Sequence, residues 1–171
     1  MKIELAETSA DDAPRLQRLF QLYAYDFSEI VGLDVGEDGL FHGSDPFAGC
    51  WAGEGRHAYL SLVDGRIAGF AILSAGSRIS GDPNVMDVAE LFVMRKYRRH
   101  GVGTVCATRA FDLFPRRWEV RERASNSAAI AFWRKTIHAY TGGQLTETIY
   151  DDERWRGPVQ SFDGAAIARG V

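Results

Sequence analysis

The sequence contains only two cysteines, Cys50 and Cys106, among its 171 residues. Two so widely spaced thiols make neither a metal-type pair nor the disulfide framework of a small secreted domain. A reducing compartment, the cytoplasm, is therefore expected. The four histidines, His42, His57, His100 and His138, are scattered without ligand spacing, so no metal is expected either. No stretch approaches the ~20 consecutive apolar residues of a membrane span. The opening MKIELAETSADD turns acidic where a signal peptide needs an apolar run. An excess of one charge is missing too. The formal net charge is -3 and the pI about 5.8, which offers a nucleic acid or an anionic membrane no global attraction. Repeats, low-complexity tracts and long linkers are absent as well. At roughly 100–200 residues per domain, a single domain over residues 1–171 is expected.

What remains is a hydrophobic content of 46%, enough for a packed core. Residues 2–6 alternate as a short strand does, and Ser9 with Asp11 and Asp12 marks a helix start. Leu16, Leu19, Phe20, Tyr23 and Phe27 then form a helical stripe. Residues 32–56 are glycine-rich and acidic, and read mostly as loop with room for a short helix. Strands are expected at His57–Val63 and Ile67–Ser74 around an Asp64-Gly65-Arg66 turn, and again at Val85–Val93. Val102, Cys106, Ala110 and Leu113 carry a helix that stops before Pro115. A strand at Trp118–Arg123, a helix from Asn126 through Thr136, and strands near 146–150 and 159–162 complete the chain. This order implies an α/β (α+β) sheet of mixed direction.

One segment carries chemistry. Ala89-Glu-Leu-Phe-Val-Met-Arg-Lys-Tyr-Arg-Arg-His-Gly-Val-Gly-Thr104 is an apolar strand, a basic loop and the start of an amphipathic helix. Gly101 and Gly103 let backbone amides approach a ligand, and the unpaired N–H groups of a helix start bind phosphate. Lys96, Arg98 and Arg99 add positive charge, so a pyrophosphate suits the loop. A nucleotide P-loop needs Gly-Lys-Ser/Thr where this chain has Gly-Val-Gly-Thr. A dinucleotide fingerprint needs a small third residue where Cys106 stands, with a tighter strand-to-glycine joint.

The pattern Arg98-x-x-Gly101-x-Gly103, after a strand ending Leu91-Phe92-Val93 and before Asn126-x-x-Ala129-x-x-Phe132-Trp133-x-Lys135, resembles the GNAT N-acetyltransferase family. The resemblance covers about residues 57–136. It implies a mostly antiparallel central sheet flanked by helices, with a V-shaped splay between the two central strands. It also implies acetyl-CoA as co-substrate. Backbone groups of Phe92 and Val93 would pair with the pantetheine arm like an added strand. Amides of Arg99, His100, Gly101, Val102, Gly103 and Thr104 would hold the pyrophosphate, Arg98 would brace the loop, and Asn126 and Phe132 would line the far side. Glu90 and Asp87 are the candidate catalytic bases, placed on opposite faces by strand alternation. Trp133 stands where many members carry a tyrosine that protonates the departing thiolate. Indole cannot do that, and Tyr140 or solvent is left for the role.

The acceptor expected from the resemblance is a small-molecule amine. Tyr23, Tyr25, Asp26, Glu29, Asp34, Glu37, Asp38 and the Asp151-Asp152-Glu153 run would suit a cationic one, and are equally the solvated acids of ordinary loops. A protein or peptide N-acetyltransferase and a non-catalytic acyl-CoA-binding module are the alternatives. No nucleic-acid or membrane partner is expected, and a homodimer is left open.

Overall fold

The alternating start of the chain forms β1 (Ile3–Glu7), which pairs antiparallel with β2 (Arg56–Val63) from Ile3 opposite Val63 to Glu7 opposite Tyr59. This computed structural model describes residues 1–169. Between the two strands runs α1 (Ala13–Val31), entered through a 3₁₀ turn in which Asp12 reaches back to the Ser9 N–H at 3.1 Å. Gly32, at φ 67°, closes the helix in the left-handed conformation. Asp64 and Gly65, at φ 48° and 74°, make the tight turn into β3 (Arg66–Ala75). There follow β4 (Val85–Val93), α2 (Val102–Leu113), β5 (Arg117–Arg121) and α3 (Ser127–Thr141). The chain then forms β6 (Thr146–Asp151), β7 (Arg156–Asp163) and α4 (Gly164–Arg169).

The seven strands form one open, mostly antiparallel sheet in the order β1-β2-β3-β4-β5-β7-β6. β4 and β5 pair in parallel through only three positions, Val85 with Arg117, Met86 with Trp118 and Asp87 with Glu119. β5 then continues on β7, and β7 on β6, both antiparallel.

Several bounds differ from those expected, and β7 starts at Arg156 rather than near 159. α3 runs to Thr141 rather than Thr136, because Ile137 and Thr141 stay buried and Gly142 at φ 61° supplies the stop. β5 ends at Arg121 rather than Arg123. α4 was not expected; Asp163 starts it by accepting the N–H groups of Ala165 and Ala166 at 2.9 and 3.2 Å. Residues 32–55 contain no helix or strand, as mostly expected.

The chain divides into two compact units, Met1–Ile72 with Glu90–Gly103, and Leu73–Ala89 with Thr104 onward. In the first, the α1 stripe packs Tyr23 5.9 Å from both Phe70 and Phe92, centroid to centroid. Phe47, 1% exposed and 5.4 Å from Phe70, pins the glycine-rich loop into this core. In the second, Phe111 gathers Trp118, Tyr140 and Phe162 at 5.0, 5.1 and 4.9 Å. Cys50 and Cys106 are both buried and free of disulfides. No helix among the described residues is long and apolar enough to cross a membrane.

Candidate active site

In the first unit, the end of β4 feeds a 3₁₀ turn at Arg95–Tyr97 and then the basic loop. Arg98 turns its side chain back on this loop. Its Nε donates to the Val93 carbonyl at 2.7 Å, and its Nη2 donates to Asp26 on α1. Arg95 Nε donates to the other Asp26 oxygen at 2.9 Å. Two guanidiniums on one partly buried carboxylate thus fasten the loop to the helix. Arg99 and Gly101 both take left-handed φ values, 64° and 79°. A non-glycine residue in that region is uncommon, and it lies just before α2, whose first N–H groups have no partner within the helix. Val102 is 1% exposed, so its side chain belongs to the core and only its amide can face a ligand. His100, Gly101 and Thr104 are exposed, and Gly103 is half-buried.

Phe92 is buried and Val93 half-buried. Opposite them the backbone of β3 comes unusually close, because Gly69 has no side chain. A Cβ there would lie 1.9 Å from the Phe92 carbonyl oxygen. The Met94 N–H then bonds the Ala68 carbonyl at 2.8 Å. Glu90 is half-buried and accepts a 2.5 Å hydrogen bond from the Tyr23 hydroxyl. Tyr23 is therefore both a core aromatic and a polar partner of the candidate base. Only the first role was readable from its place in the helical stripe.

The other expected residues lie in the second unit. Asp87 is buried at 1% side-chain exposure and sits 2.6 Å from Arg121, itself 7% exposed. A carboxylate so committed to a guanidinium is poorly placed to accept a proton from an amine. Asn126 caps α3, its Oδ1 accepting the Ala129 N–H at 3.0 Å. Phe132 is half-buried with its ring 5.0 Å from Trp133, and Trp133 is buried. Tyr140 donates to Asp112 at 2.8 Å, and burial followed by that carboxylate pushes its phenol well above the usual range. It is a weaker acid than a free tyrosine.

Three of the acids offered above for a cationic acceptor are engaged by basic side chains of the chain itself. Asp26 holds Arg95 and Arg98, Asp38 holds His42 at 2.8 Å, and Asp152 holds Arg154 at 2.5 Å. Among the described residues, no group of three or more His, Cys, Asp or Glu side chains could hold a metal ion.

Comparison with known proteins follows the same lines. A family model described as the acetyltransferase (GNAT) family matches residues 16–138. A search of curated proteins finds no match. Among solved structures, the chain is similar to the aminoglycoside acetyltransferase AAC(6')-Ib in complex with coenzyme A. The TM-score is 0.68 at 16% identity, with 98% of each chain covered. It is similar also to the PaiA N-acetyltransferase from Thermoplasma acidophilum in complex with coenzyme A, at TM-score 0.63 and 12% identity, covering 95% of this chain and 99% of that one. A spermidine N-acetyltransferase SpeG chimera from Vibrio cholerae and hSSAT gives a TM-score of 0.61 at 10% identity, with 99% of each chain covered.

Proposed function

The chain belongs to the GNAT acetyltransferase family, and from that premise we propose that it transfers an acetyl group from acetyl-CoA to the primary amine of a small molecule. The observation that carries this reading is the loop between β4 and α2, where Arg98 is tied to Val93 and Asp26 while Arg99 and Gly101 adopt left-handed φ. That arrangement supports a pyrophosphate held by the amides of Arg99 to Thr104, with the positive end of α2 behind it. Backbone groups of Phe92 and Val93 would carry the pantetheine arm, and Asn126 and Phe132 would complete the cofactor's surroundings. The neighbours named with coenzyme A, an aminoglycoside and spermidine support the same cofactor and a small amine acceptor. Two buried cysteines that form no disulfide fit a reducing compartment such as the cytoplasm.

In this reaction the amine lone pair attacks the thioester carbonyl carbon, forming the C–N bond. Collapse of the tetrahedral adduct breaks the C–S bond, and the thiolate takes a proton from water. Glu90 receives the proton lost by the amine. It is preferred over Asp87 because Asp87 is committed to Arg121, whereas Glu90 sits two residues before Phe92 with a hydroxyl as partner. Trp133 has no acidic proton to give, and Tyr140 is bonded to Asp112. Glu90→Gln should lower kcat by about 10²-fold or more, within the usual range for a general base, while leaving the acetyl-CoA Kd unchanged. Equal loss of kcat and acetyl-CoA affinity would assign Glu90 a structural role.

Calorimetry with acetyl-CoA, followed by thiol release against a panel of amines, tests the whole reading. Binding with amine-dependent release supports the enzyme. Binding with no release on any amine favours a module that holds the acyl donor without transferring it, and absence of binding overturns the proposal. Gly101→Val refines the test. Apart from its chain neighbours, no atom of the described residues lies within 4 Å of a Cβ at this position. The φ of 79° nevertheless disfavours a β-branched residue, and the loop should lose its geometry. Acetyl-CoA affinity should fall about tenfold or more, and an unchanged Kd would remove the loop from the cofactor site.

A further inference from the structure

The turn joining β6 and β7 closes, together with Arg123, around a cleft of about 320 Å³. Its lining is Arg123, Asp152, Glu153, Arg154, Trp155 and Arg156. The charges in it are unequally engaged. Asp152 accepts the backbone N–H groups of Arg154 and Trp155 at 2.9 and 3.4 Å, and the Arg154 guanidinium at 2.5 Å. This pair locks the turn and leaves neither charge for a ligand. Among the described residues the one carboxylate that Arg156 approaches is Asp151, at 3.7 Å, with side chains 83% and 89% exposed, a pair that contributes little in water. Arg123 has no carboxylate partner among the described residues. Its guanidinium lies 5.8 Å from the centre of the Trp155 indole.

Trp155 itself is held rigidly. Its Nε1 donates to the Glu122 carbonyl at 3.0 Å, and Arg121 stacks on the ring at 4.6 Å. Arg121 is fixed in turn by the buried Asp87. The strand beyond β5 is drawn against β7 by the Ala124 N–H, which bonds the Arg156 carbonyl at 3.2 Å. Two under-engaged guanidiniums therefore line the same cleft as a pre-positioned aromatic ring. Guanidinium forks match carboxylates, and a ring already fixed loses little entropy when a ligand arrives. Glu153, in the same lining, favours a ligand that also carries an ammonium group over a simple dianion.

We infer that this cleft binds the carboxylate of an amino-acid-type ligand, through Arg123 and Arg156 beside Trp155. The anion site stands on its own charges and does not depend on the acetyl-transfer reading.

The test uses ¹⁵N-labelled protein without acetyl-CoA, following the Trp155 indole signal assigned by its loss in Trp155→Phe. Glycine, phenylalanine and leucine are titrated beside their carboxamides. The free amino acids should shift the signal saturably, and the carboxamides should bind at least about tenfold more weakly. Arg123→Ala and Arg156→Ala, both at exposed positions, should each weaken the free amino acids by about tenfold and leave the carboxamides unaffected. Equal response to acids and amides, no response to either, or an unaltered Arg123→Ala would overturn the inference. Acetyl-CoA calorimetry on the same sample separates the two readings. Failure there removes acetyl transfer and leaves the amino-acid titration to decide the anion site.

Discussion

Gly69→Ala is expected to destabilise the protein by about 3 kcal/mol and to weaken acetyl-CoA binding more than tenfold. The added Cβ would fall 1.9 Å from the Phe92 carbonyl oxygen, 2.8 Å from its carbonyl carbon and 3.1 Å from the Val93 Cα. All three are backbone atoms, so no side-chain rotation relieves the overlap. The end of β4 must move away from β3, and the Met94 N–H to Ala68 carbonyl bond of 2.8 Å must stretch with it. Overpacking of this kind typically costs about 1–3 kcal/mol, and a collision with rigid backbone belongs at the upper end. For a chain of this size that corresponds to a Tm lower by roughly 10 °C. The second effect follows from the first, because Phe92 and Val93 are the residues proposed to pair with the pantetheine arm. Thermal unfolding and calorimetry on the one variant check both. A normal Tm would mean that β3 and β4 are farther apart than described. A lowered Tm with normal acetyl-CoA affinity would move the cofactor away from Phe92 and Val93.

The contrast between Gly69 and Gly101 shows what a sequence can reveal. Gly101 stands in a basic loop before a helical stripe, where glycine is expected to let backbone amides approach a ligand, and it takes a φ of 79°. Gly69 sits unmarked inside an apolar run, and its necessity comes from a strand more than twenty residues away. The same division holds elsewhere. β4 has its expected bounds because Val85–Val93 is apolar and sharply bracketed, and the Asp64-Gly65 turn follows from two residues that tolerate positive φ. α3 outran its expected end because Ile137 and Thr141 continue a buried face that a polar reading of Thr-Ile-His-Ala-Tyr-Thr does not display. At the candidate site, local pattern singles out Arg98, Gly101 and Glu90. It does not reveal the Asp26 carboxylate that holds Arg95 and Arg98, or the Tyr23 hydroxyl on Glu90. Each joins residues of α1 to residues some seventy positions later, and helical periodicity reports only which face is apolar.

Glu122 was equally invisible in the sequence, one more acid in Trp-Glu-Val-Arg-Glu-Arg, and it yields the largest expected pH effect. It is 3% exposed, and neither carboxylate oxygen has a hydrogen-bond partner among the described residues. Burial pushes its pKa up to about 8 against the opposing effect of Gln160, with lesser contributions from the Glu147 charge, which raises it, and the Arg134 charge, which lowers it. The Gln160 amide nitrogen is engaged elsewhere, donating to Glu147 at 2.7 Å, while the buried Gln160 Oε1 has no donor. A protonated Glu122 would offer an O–H in the same surroundings, so the neutral acid is the form the folded chain favours. The unfolded chain gives up this proton near pH 4.5, the folded chain near pH 8. Between those values the folded state binds more protons than the unfolded state, and stability must fall as pH rises. The full contribution is present below pH 4.5 and lost above pH 8, a difference of at most about 5 kcal/mol. Glu122→Gln keeps the shape of the neutral acid and cannot ionise. It should match the parent in Tm near pH 4.5 and exceed it by several degrees at pH 8.5, the gap opening steadily between. Taking the difference between the two proteins at each pH removes the titration of every other carboxylate they share. A gap that stays constant with pH, or a variant less stable at pH 8.5, would show that Glu122 is ionised and accommodated in the folded protein.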